Sequence, residues 1–315
     1  MAKPSDIRNV IIIGGGISAH TAAIYTARAS LNPLVLSGET PDQLSLTTLV
    51  ENFPGFPEGV MGPDLIVQTR EQAKKFGAEY KSTRVTSVKK IKEGFEVKTS
   101  DDETFQGRTL IISTGASARL TNIPGEKQFF GRGVSTCAVC DAALYRNKEA
   151  VVIGGGDSAM EESMALYKFA KKVTIVHRRD EFKASQIMQD RVLGLKDKIS
   201  VLWNTVPIEV QGEKFVKGLK VQDVNTKKES IIPADGVFLA IGHIPNTDFL
   251  KGLIDLDQNG FVKGKGVLTS VPGIYAAGDV MDPRYKQAIT SAGTGCQAAL
   301  EAEWYLEKLQ AEGKF

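Results

Sequence analysis

Twice in this chain a run of small and β-branched apolar residues ends in three glycines and leads into a helix-forming stretch. Few sequence patterns restrict a fold as much. Val10-Ile11-Ile12-Ile13 runs into Gly14-Gly15-Gly16, and Ala150-Val151-Val152-Ile153 runs into Gly154-Gly155-Gly156. Short continuous apolar runs of this kind read as parallel strands buried on both faces. Residues 17–29 and 157 to about 169 read as the helices that follow. Pro33-Leu34-Val35-Leu36 and Val173-Thr174-Ile175-Val176 read as the next strands. Each set is a βαβ unit, and 315 residues suffice for two domains with separate cores. Residues 84–97 and 219–232 alternate apolar and polar residues, as antiparallel meanders do. Three further strands end at Gly115, Gly242 and Gly278, and a last helix spans about 288–309. Chain crossings near residues 117 and 246 would be hinges if the second nucleotide domain is inserted in the first.

Between the glycine turns lies Cys137-Ala138-Val139-Cys140, followed by Asp141. Two thiols at this spacing can close and reopen a small disulfide, an exchangeable store for two electrons. A redox disulfide flanked by two dinucleotide turns suggests a relay from nicotinamide to flavin to disulfide to a partner protein. Asp141 is placed to protonate a departing thiolate if partial burial raises its pKa. The pair also reads as half of a zinc site or as two inert buried thiols. A second such pair is absent, and the only other cysteine is Cys296, which reads as a packed helix thiol.

In the first turn Gly14 permits the tight bend, Gly16 lets the backbone approach a pyrophosphate, and Ala19 allows close helix–strand packing. The helix that begins at Ile17 and Ser18 offers free N–H groups and a positive dipole end to phosphates. The second turn, continuing into Asp157, Ser158 and Ala159, follows the same logic. After its second strand comes His177-Arg178-Arg179, where an NAD site would carry an acid. Guanidinium groups suit a ribose 2′-phosphate, so NADPH is expected over NADH, with Lys183 as a third cation. The alternative is a solvated basic face. Asp279, after Gly278, is placed to bond the hydroxyls of a flavin's ribityl chain, with the following helix N-terminus toward the ring. His20, His177 and His243 are read as hydrogen-bonding rather than catalytic residues.

The formal net charge of +2 argues for neither a nucleic-acid nor a membrane surface. Three cysteines are too few for a secreted disulfide scaffold. Residues 1–8 are polar and lack the apolar core of a signal peptide. No apolar run approaches the roughly 20 residues needed to cross a bilayer. A reducing, cytoplasmic compartment is expected.

These residues resemble the low-molecular-weight thioredoxin reductases over essentially the whole chain. The resemblance is carried by Thr21-Ala22-Ala23-Ile24-Tyr25, Glu51-Asn52-Phe53-Pro54-Gly55-Phe56, Ala116-Ser117-Ala118, Cys137-Ala138-Val139-Cys140-Asp141, Gly154-Gly155-Gly156-Asp157-Ser158-Ala159, His177-Arg178-Arg179-Asp180, Ala240-Ile241-Gly242-His243, Ala276-Ala277-Gly278-Asp279-Val280 and Gln287-Ala288-Ile289-Thr290-Ser291-Ala292-Gly293. It implies an α/β homodimeric flavoprotein with two Rossmann-like, three-layer ββα dinucleotide-binding domains. The FAD domain would be residues 1–116 and 247–315, with the NADPH domain, 117–246, inserted and carrying the disulfide. It implies a thioredoxin-disulfide reductase that serves cell redox homeostasis, with a rotation of the domains about the hinge strands. Cys140 looks like the thiol that meets the flavin, Cys137 the one that attacks thioredoxin, and Asp141 the acid. FAD contacts are implied at Gly14, Gly15, Gly16, Ile17, Ser18, Ala19, Gln43, Leu44, Asn52, Val85, Gly115, Asp279, Lys286, Gln287 and Ala288. NADPH contacts are implied at Gly154, Gly155, Gly156, Asp157, Ser158, His177, Arg178, Arg179, Lys183, Ile241 and Gly242.

The chain departs from the family pattern in places. Pro41-Asp42 stands where the family has Gly-Gly before Gln43-Leu44, and Gly16-Ile17-Ser18 where it has Gly-Pro-Ala. Ser37 stands near a position where relatives carry an acid, with Glu39 close by. Ala142 replaces a glycine, and Lys183 and Lys286 replace arginines. The loop changes are expected to loosen FAD binding, and Lys for Arg to lower NADPH affinity modestly. Rival readings are a related flavin reductase with another acceptor, peroxidase-linked or ferredoxin-fed, a redox-sensing nucleotide module, and a zinc-binding domain. Arg178 and Arg179 argue against ferredoxin. The lack of an added N-terminal thioredoxin-like module argues against the peroxidase-linked type.

Overall fold

The computed structural model describes residues 7–47 and 49–314. Most of the polar start, residues 1–6, therefore lies outside the described residues. The chain divides into two compact units, Met1–Ser117 with Ile244–Phe315, and Ala118–His243. Among the described residues the α-helices are α1 (Ile17–Arg28), α2 (Gly62–Lys75), α3 (Ala138–Asp141), α4 (Asp157–Tyr167), α5 (Gln186–Leu193) and α6 (Ala288–Ala311). None of the described helices is long and apolar enough to cross a membrane.

The first unit is built on a parallel sheet. Strands Glu79–Lys81, Leu34–Leu36, Ile7–Ile13 and Thr104–Ile112 lie side by side, and Ile274–Ala276 adds to the last. Thr104–Ile112 is long enough to serve two neighbours on one side. Its C-terminal half pairs with Ile274–Ala276, and its N-terminal half turns antiparallel to Gly94–Thr99, which pairs in turn with Val85–Ile91. Alternate strand residues face opposite layers, as the pleat requires. Val10, Ile12, Val35 and Ile111 pack under the alanine faces of α1 and α6. Ile11, Ile13, Leu36, Leu110 and Ile112 meet Val85, Phe95 and Val97 of the meander.

The second unit repeats the plan. Val134–Ser135, Gly236–Ala240, Glu149–Gly154, Lys172–Val176 and Ile199–Leu202 form an all-parallel sheet. Val152, Val173, Ile175 and Phe238 pack with Ala159, Met160 and Leu166 of α4. Val151, Ile153, Val237 and Leu239 face the three-stranded meander Thr205–Gly212, Val216–Asp223 and Glu229–Pro233 through Val210, Leu219 and Val221. Both units are therefore three-layered: helices, parallel sheet, meander. The meanders extend beyond the alternating stretches legible in sequence, and α4 ends at Tyr167 rather than near residue 169. Where the chain passes between units, Ala116–Ala118 and His243–Pro245 pair as short strands.

Candidate active site and nucleotide-binding turns

Both glycine turns sit at the C-terminal end of a central strand and at the N-terminus of a helix. Gly16 and Gly156 are the N-cap residues of α1 and α4, and neither helix end is capped by a side chain. The first N–H groups of each helix are therefore left for an incoming acceptor. Gly14 and Gly154 take φ of +133° and +156°, and a Cβ on either would overlap a carbonyl, of Ser113 just past one neighbouring strand or of Ala240 ending another. The third glycine of each turn faces room. A Cβ on Gly16 would have Asp42 Cβ at 3.8 Å as its neighbour, and one on Gly156 would meet nothing within 4 Å. An open cradle over free N–H groups fits a pyrophosphate at both turns. Ile17, Ser18 and Ala19 are buried in the first turn of α1, and Ser158 lies in that of α4.

Around the first turn, Asp42 organises the loop that holds Gln43 and Leu44. Its carboxylate accepts from the N–H groups of Leu44 and Ser45, at 2.9 and 3.2 Å, and from Ser45 Oγ. Asn52 Nδ2 donates to Gln287 Oε1 at 3.2 Å, and Gln287 caps α6 reciprocally with Thr290 just before Ala288. Lys286 stands at φ +48°, with its N–H given to Asp282. Asp279, half-buried, accepts from Ser291 Oγ at 2.9 Å, and burial pushes its carboxyl pKa up. Val85 is buried at the start of its strand, and Gly115, with φ +65°, lies three residues past the strand Thr104–Ile112. Glu39 accepts from Ser100 Oγ at 2.6 Å, while the Ser37 hydroxyl turns to the Lys81 carbonyl. His20 is buried in α1 against Thr69 and Tyr80, and burial, with Arg70 nearby, lowers its pKa to about 4.

Around the second turn the basic run splits. Arg178, Arg179 and Lys183 are exposed. His177 is not: its ring nitrogens lie 3.1 and 2.8 Å from the carbonyl oxygens of Gly154 and Glu181, and its ring packs on Phe182 and Trp203. A Cβ on Gly155 would overlap that ring. The imidazole is thus the wedge beneath the turn, and the exposed cations of the run are Arg178, Arg179 and Lys183. The segment carrying Lys183 is tied over the turn, since Lys183 N and Ala184 N both donate to the Gly155 carbonyl, at 2.7 and 3.1 Å. Asp157 Oδ1 accepts from Ser185 N and Oγ at 2.8 and 2.9 Å. Ile241 and Gly242 follow the strand Gly236–Ala240, Gly242 with φ +98°.

Cys137 and Cys140 form a disulfide, with Cα atoms 5.4 Å apart. Cys137 is the N-cap of α3, and its Sγ accepts from Cys140 N at 3.2 Å. Cys140 is exposed and Cys137 half-buried. Asp141, next in the chain, is half-buried. Ser135 Oγ donates to its Oδ2 at 2.7 Å, and its Oδ1 is buried with no hydrogen-bond partner among the described residues. Burial raises the Asp141 pKa, offset in part by the Ser135 bond. The same Ser135 Oγ accepts the Cys137 N–H at 3.1 Å. Ser135 was not legible as a site residue, since a lone serine two residues before a cysteine carries no pattern. Cys296 lies half-buried on α6 beside Tyr25. Among the described residues no cluster of three or more His, Cys, Asp or Glu could hold a metal ion.

Two nucleotide cradles and a closed CxxC disulfide are the parts of a nicotinamide-driven disulfide reductase. Residues 8–295 match the family described as pyridine nucleotide-disulphide oxidoreductase. The chain belongs to that family. Within it the chain stands with the low-molecular-weight thioredoxin reductases. It is 47% identical over 314 residues to a thioredoxin reductase of Streptomyces coelicolor, covering 98% of this chain and 97% of the other. It is 46% identical over 303 residues to a bifunctional thioredoxin reductase/thioredoxin of Mycobacterium leprae, covering 95% of this chain and 66% of that one. The solved thioredoxin reductase of Streptococcus pyogenes superposes with a TM-score of 0.90 at 37% identity, covering 96% of this chain and 99% of the other. Thioredoxin reductases are NADPH-dependent disulfide oxidoreductases that use a flavin, and the two cradles fit that pair of cofactors.

Proposed function

We propose that the protein reduces the disulfide of oxidised thioredoxin with electrons from NADPH, relayed by FAD and the Cys137–Cys140 pair. The observation that carries the reading is the disulfide itself, closed at the N-terminus of α3 with a half-buried acid next to it. The fused Mycobacterium leprae relative, whose name joins the reductase to thioredoxin, supports the choice of partner. In this reading residues 1–116 and 247–315 bind FAD and residues 117–246 bind NADPH. Bound FAD would take a hydride from NADPH and supply two electrons to the disulfide.

The chain's own residues do the rest. The N–H groups after Gly16 and Gly156 hold the pyrophosphates, and Asp279 and the Gln287–Asn52 pair orient the flavin side. Arg178, Arg179 and Lys183 select the 2′-phosphate by charge-assisted contacts. Once the pair is reduced, Cys137 as a thiolate attacks the partner's disulfide. Its sulfur bonds to one partner sulfur, the other leaves and takes a proton from Asp141, and Cys140 then closes on Cys137 to free the second. The disulfide must serve an electron donor and a protein acceptor in turn, so we read the paired passages Ala116–Ala118 and His243–Pro245 as the hinge. A homodimer in a reducing, cytoplasmic compartment completes the proposal, with neither nucleic acid nor membrane as a partner.

The test is NADPH oxidation by the FAD-loaded protein with and without thioredoxin, run beside Cys137→Ser. Thioredoxin-dependent turnover that Cys137→Ser abolishes, while NADPH still bleaches the flavin, is the expected result. Turnover that survives Cys137→Ser refutes the relay. Bleaching without turnover in the unmodified protein moves the acceptor to another disulfide or a peroxide.

A further inference from the structure

Asp141 is held by one hydroxyl, and the same hydroxyl holds Cys137. Ser135 ends the edge strand Val134–Ser135 of the second unit's sheet and is 8% exposed. Its Oγ accepts the Cys137 N–H at 3.1 Å and donates its own proton to Asp141 Oδ2 at 2.7 Å. A hydroxyl has one proton to give, so accepting from Cys137 directs that proton to the carboxylate. The other carboxyl oxygen, Oδ1, is buried with no hydrogen-bond partner among the described residues. The orientation of the acid thus hangs on this single contact, and the contact is tied to the backbone of a redox cysteine.

We propose that Ser135 is a positioning residue for the disulfide chemistry, locking Asp141 and Cys137 in one register through its hydroxyl. This rests on the reading of Asp141 as the acid given above. Burial by itself favours the neutral acid, which holds its proton more tightly and gives it up less readily. A donor aimed at the carboxylate counters burial, so that Asp141 gives its proton up more readily. Other titratable groups close to Asp141 do not replace this. The buried phenol of Tyr145, on the turn after α3, is pushed up to about 12 by burial, then by Asp141 and Asp235. α4, which packs on α3, carries the buried residue Glu162, and Glu162 makes no contribution to the Asp141 shift.

The inference can be tested without thioredoxin. Dithiothreitol reduces the disulfide of the full FAD-loaded protein by the same exchange. A thiolate of the reagent bonds to one cysteine sulfur, the Cys137–Cys140 bond breaks, and the leaving sulfur takes a proton from Asp141; the reagent's second sulfur, its proton lost to solvent, then bonds to the first, breaking the mixed disulfide and releasing the other cysteine as a thiolate. The rate is followed against pH by thiol labelling for the unmodified protein, Ser135→Ala, Ser135→Thr and Asp141→Asn. Ser135→Ala removes a bond that favours the carboxylate, so the alkaline fall in rate is expected to move to higher pH. The rate itself should drop by about tenfold, as for a misplaced catalytic group. Ser135→Thr keeps the hydroxyl and should restore both, and Asp141→Asn should erase the alkaline fall.

A profile unchanged in Ser135→Ala overturns the proposal. So does a slower rate with the alkaline fall unmoved, which would mark Ser135 as merely structural. Thioredoxin-dependent turnover of the unmodified protein, measured alongside, separates the two readings. Its absence would end the proposed function, while the dithiothreitol profile still reports on Ser135.

Discussion

The two glycine turns share one sequence pattern and are braced in different ways. Gly15 of the first turn rests on backbone, with the Ser37 carbonyl where a Cβ would go. Gly155 of the second rests on a side chain, the His177 ring, which is itself clamped by two carbonyls and packed by Phe182 and Trp203. Backbone support is blind to residue type, whereas ring support can be removed by one substitution. The turns also differ above the helix end: Gly16 has Asp42 as a neighbour and Gly156 has open space. The same motif therefore yields two sites with different weak points.

Removing the brace gives the largest expected effect. His177→Ala should cost about 3–5 kcal/mol of stability, from a cavity beneath the turn and buried carbonyls left without partners. Ser37→Ala keeps its backbone carbonyl and should cost less than about 1 kcal/mol. Thermal unfolding checks both, and equal losses would erase the distinction between the turns.

A second contrast is acidic. His20 is buried neutral, its pKa lowered from 6.5 to about 4 chiefly by burial. Between those values the unfolded chain binds the proton and the folded one does not, so stability is full above about pH 6.5 and falls as pH drops toward 4. The loss should approach about 3 kcal/mol. His20→Phe should flatten this part of the stability curve, measured by urea unfolding from pH 7 to 4. An unchanged curve would place the acid sensitivity elsewhere.

Replacing Arg178 and Arg179 together by alanine should lower the preference for NADPH over NADH by about 100-fold, with little change in melting temperature because both side chains are exposed. A retained preference would locate 2′-phosphate recognition elsewhere. The smallest effect is expected at the first turn. Asp42→Asn keeps an acceptor for the Leu44 and Ser45 N–H groups and removes a negative charge beside the phosphate cradle. FAD should bind about two- to fivefold more tightly, read by flavin fluorescence on titrating the apoprotein. Weaker binding would show that the charge organises the loop rather than opposing the ligand.

Much of this was legible along the chain. The apolar runs before Gly14 and Gly154, the helices behind them and the returning strands stand within a few residues of where the pattern puts them. The disulfide spacing and the basic run were likewise readable. The meanders were legible only in part, because alternation marks a strand and not its neighbours. That Ile274–Ala276 returns beside Leu110–Ile112 was hidden by the length of chain between them. Inside the sites, the local pattern did not separate His177 from Arg178 and Arg179, though one points into the core and the others out.

Neighbouring residues alone set the elements and the chemistry on offer: two strand–glycine–helix turns, a closable pair of thiols with an acid beside it, and cations after the second strand. They could do so because strand burial, left-handed glycine conformations and thiol spacing are local properties of the chain. Tertiary packing decided which groups meet: Gly155 on His177, Ser185 on Asp157, Asn52 on Gln287, and Ser135 between Cys137 and Asp141. Those contacts depend on burial and on side-chain direction. A buried donor or acceptor takes whatever partner the packed layers bring within about 3 Å, and spacing along the chain seldom reveals that partner.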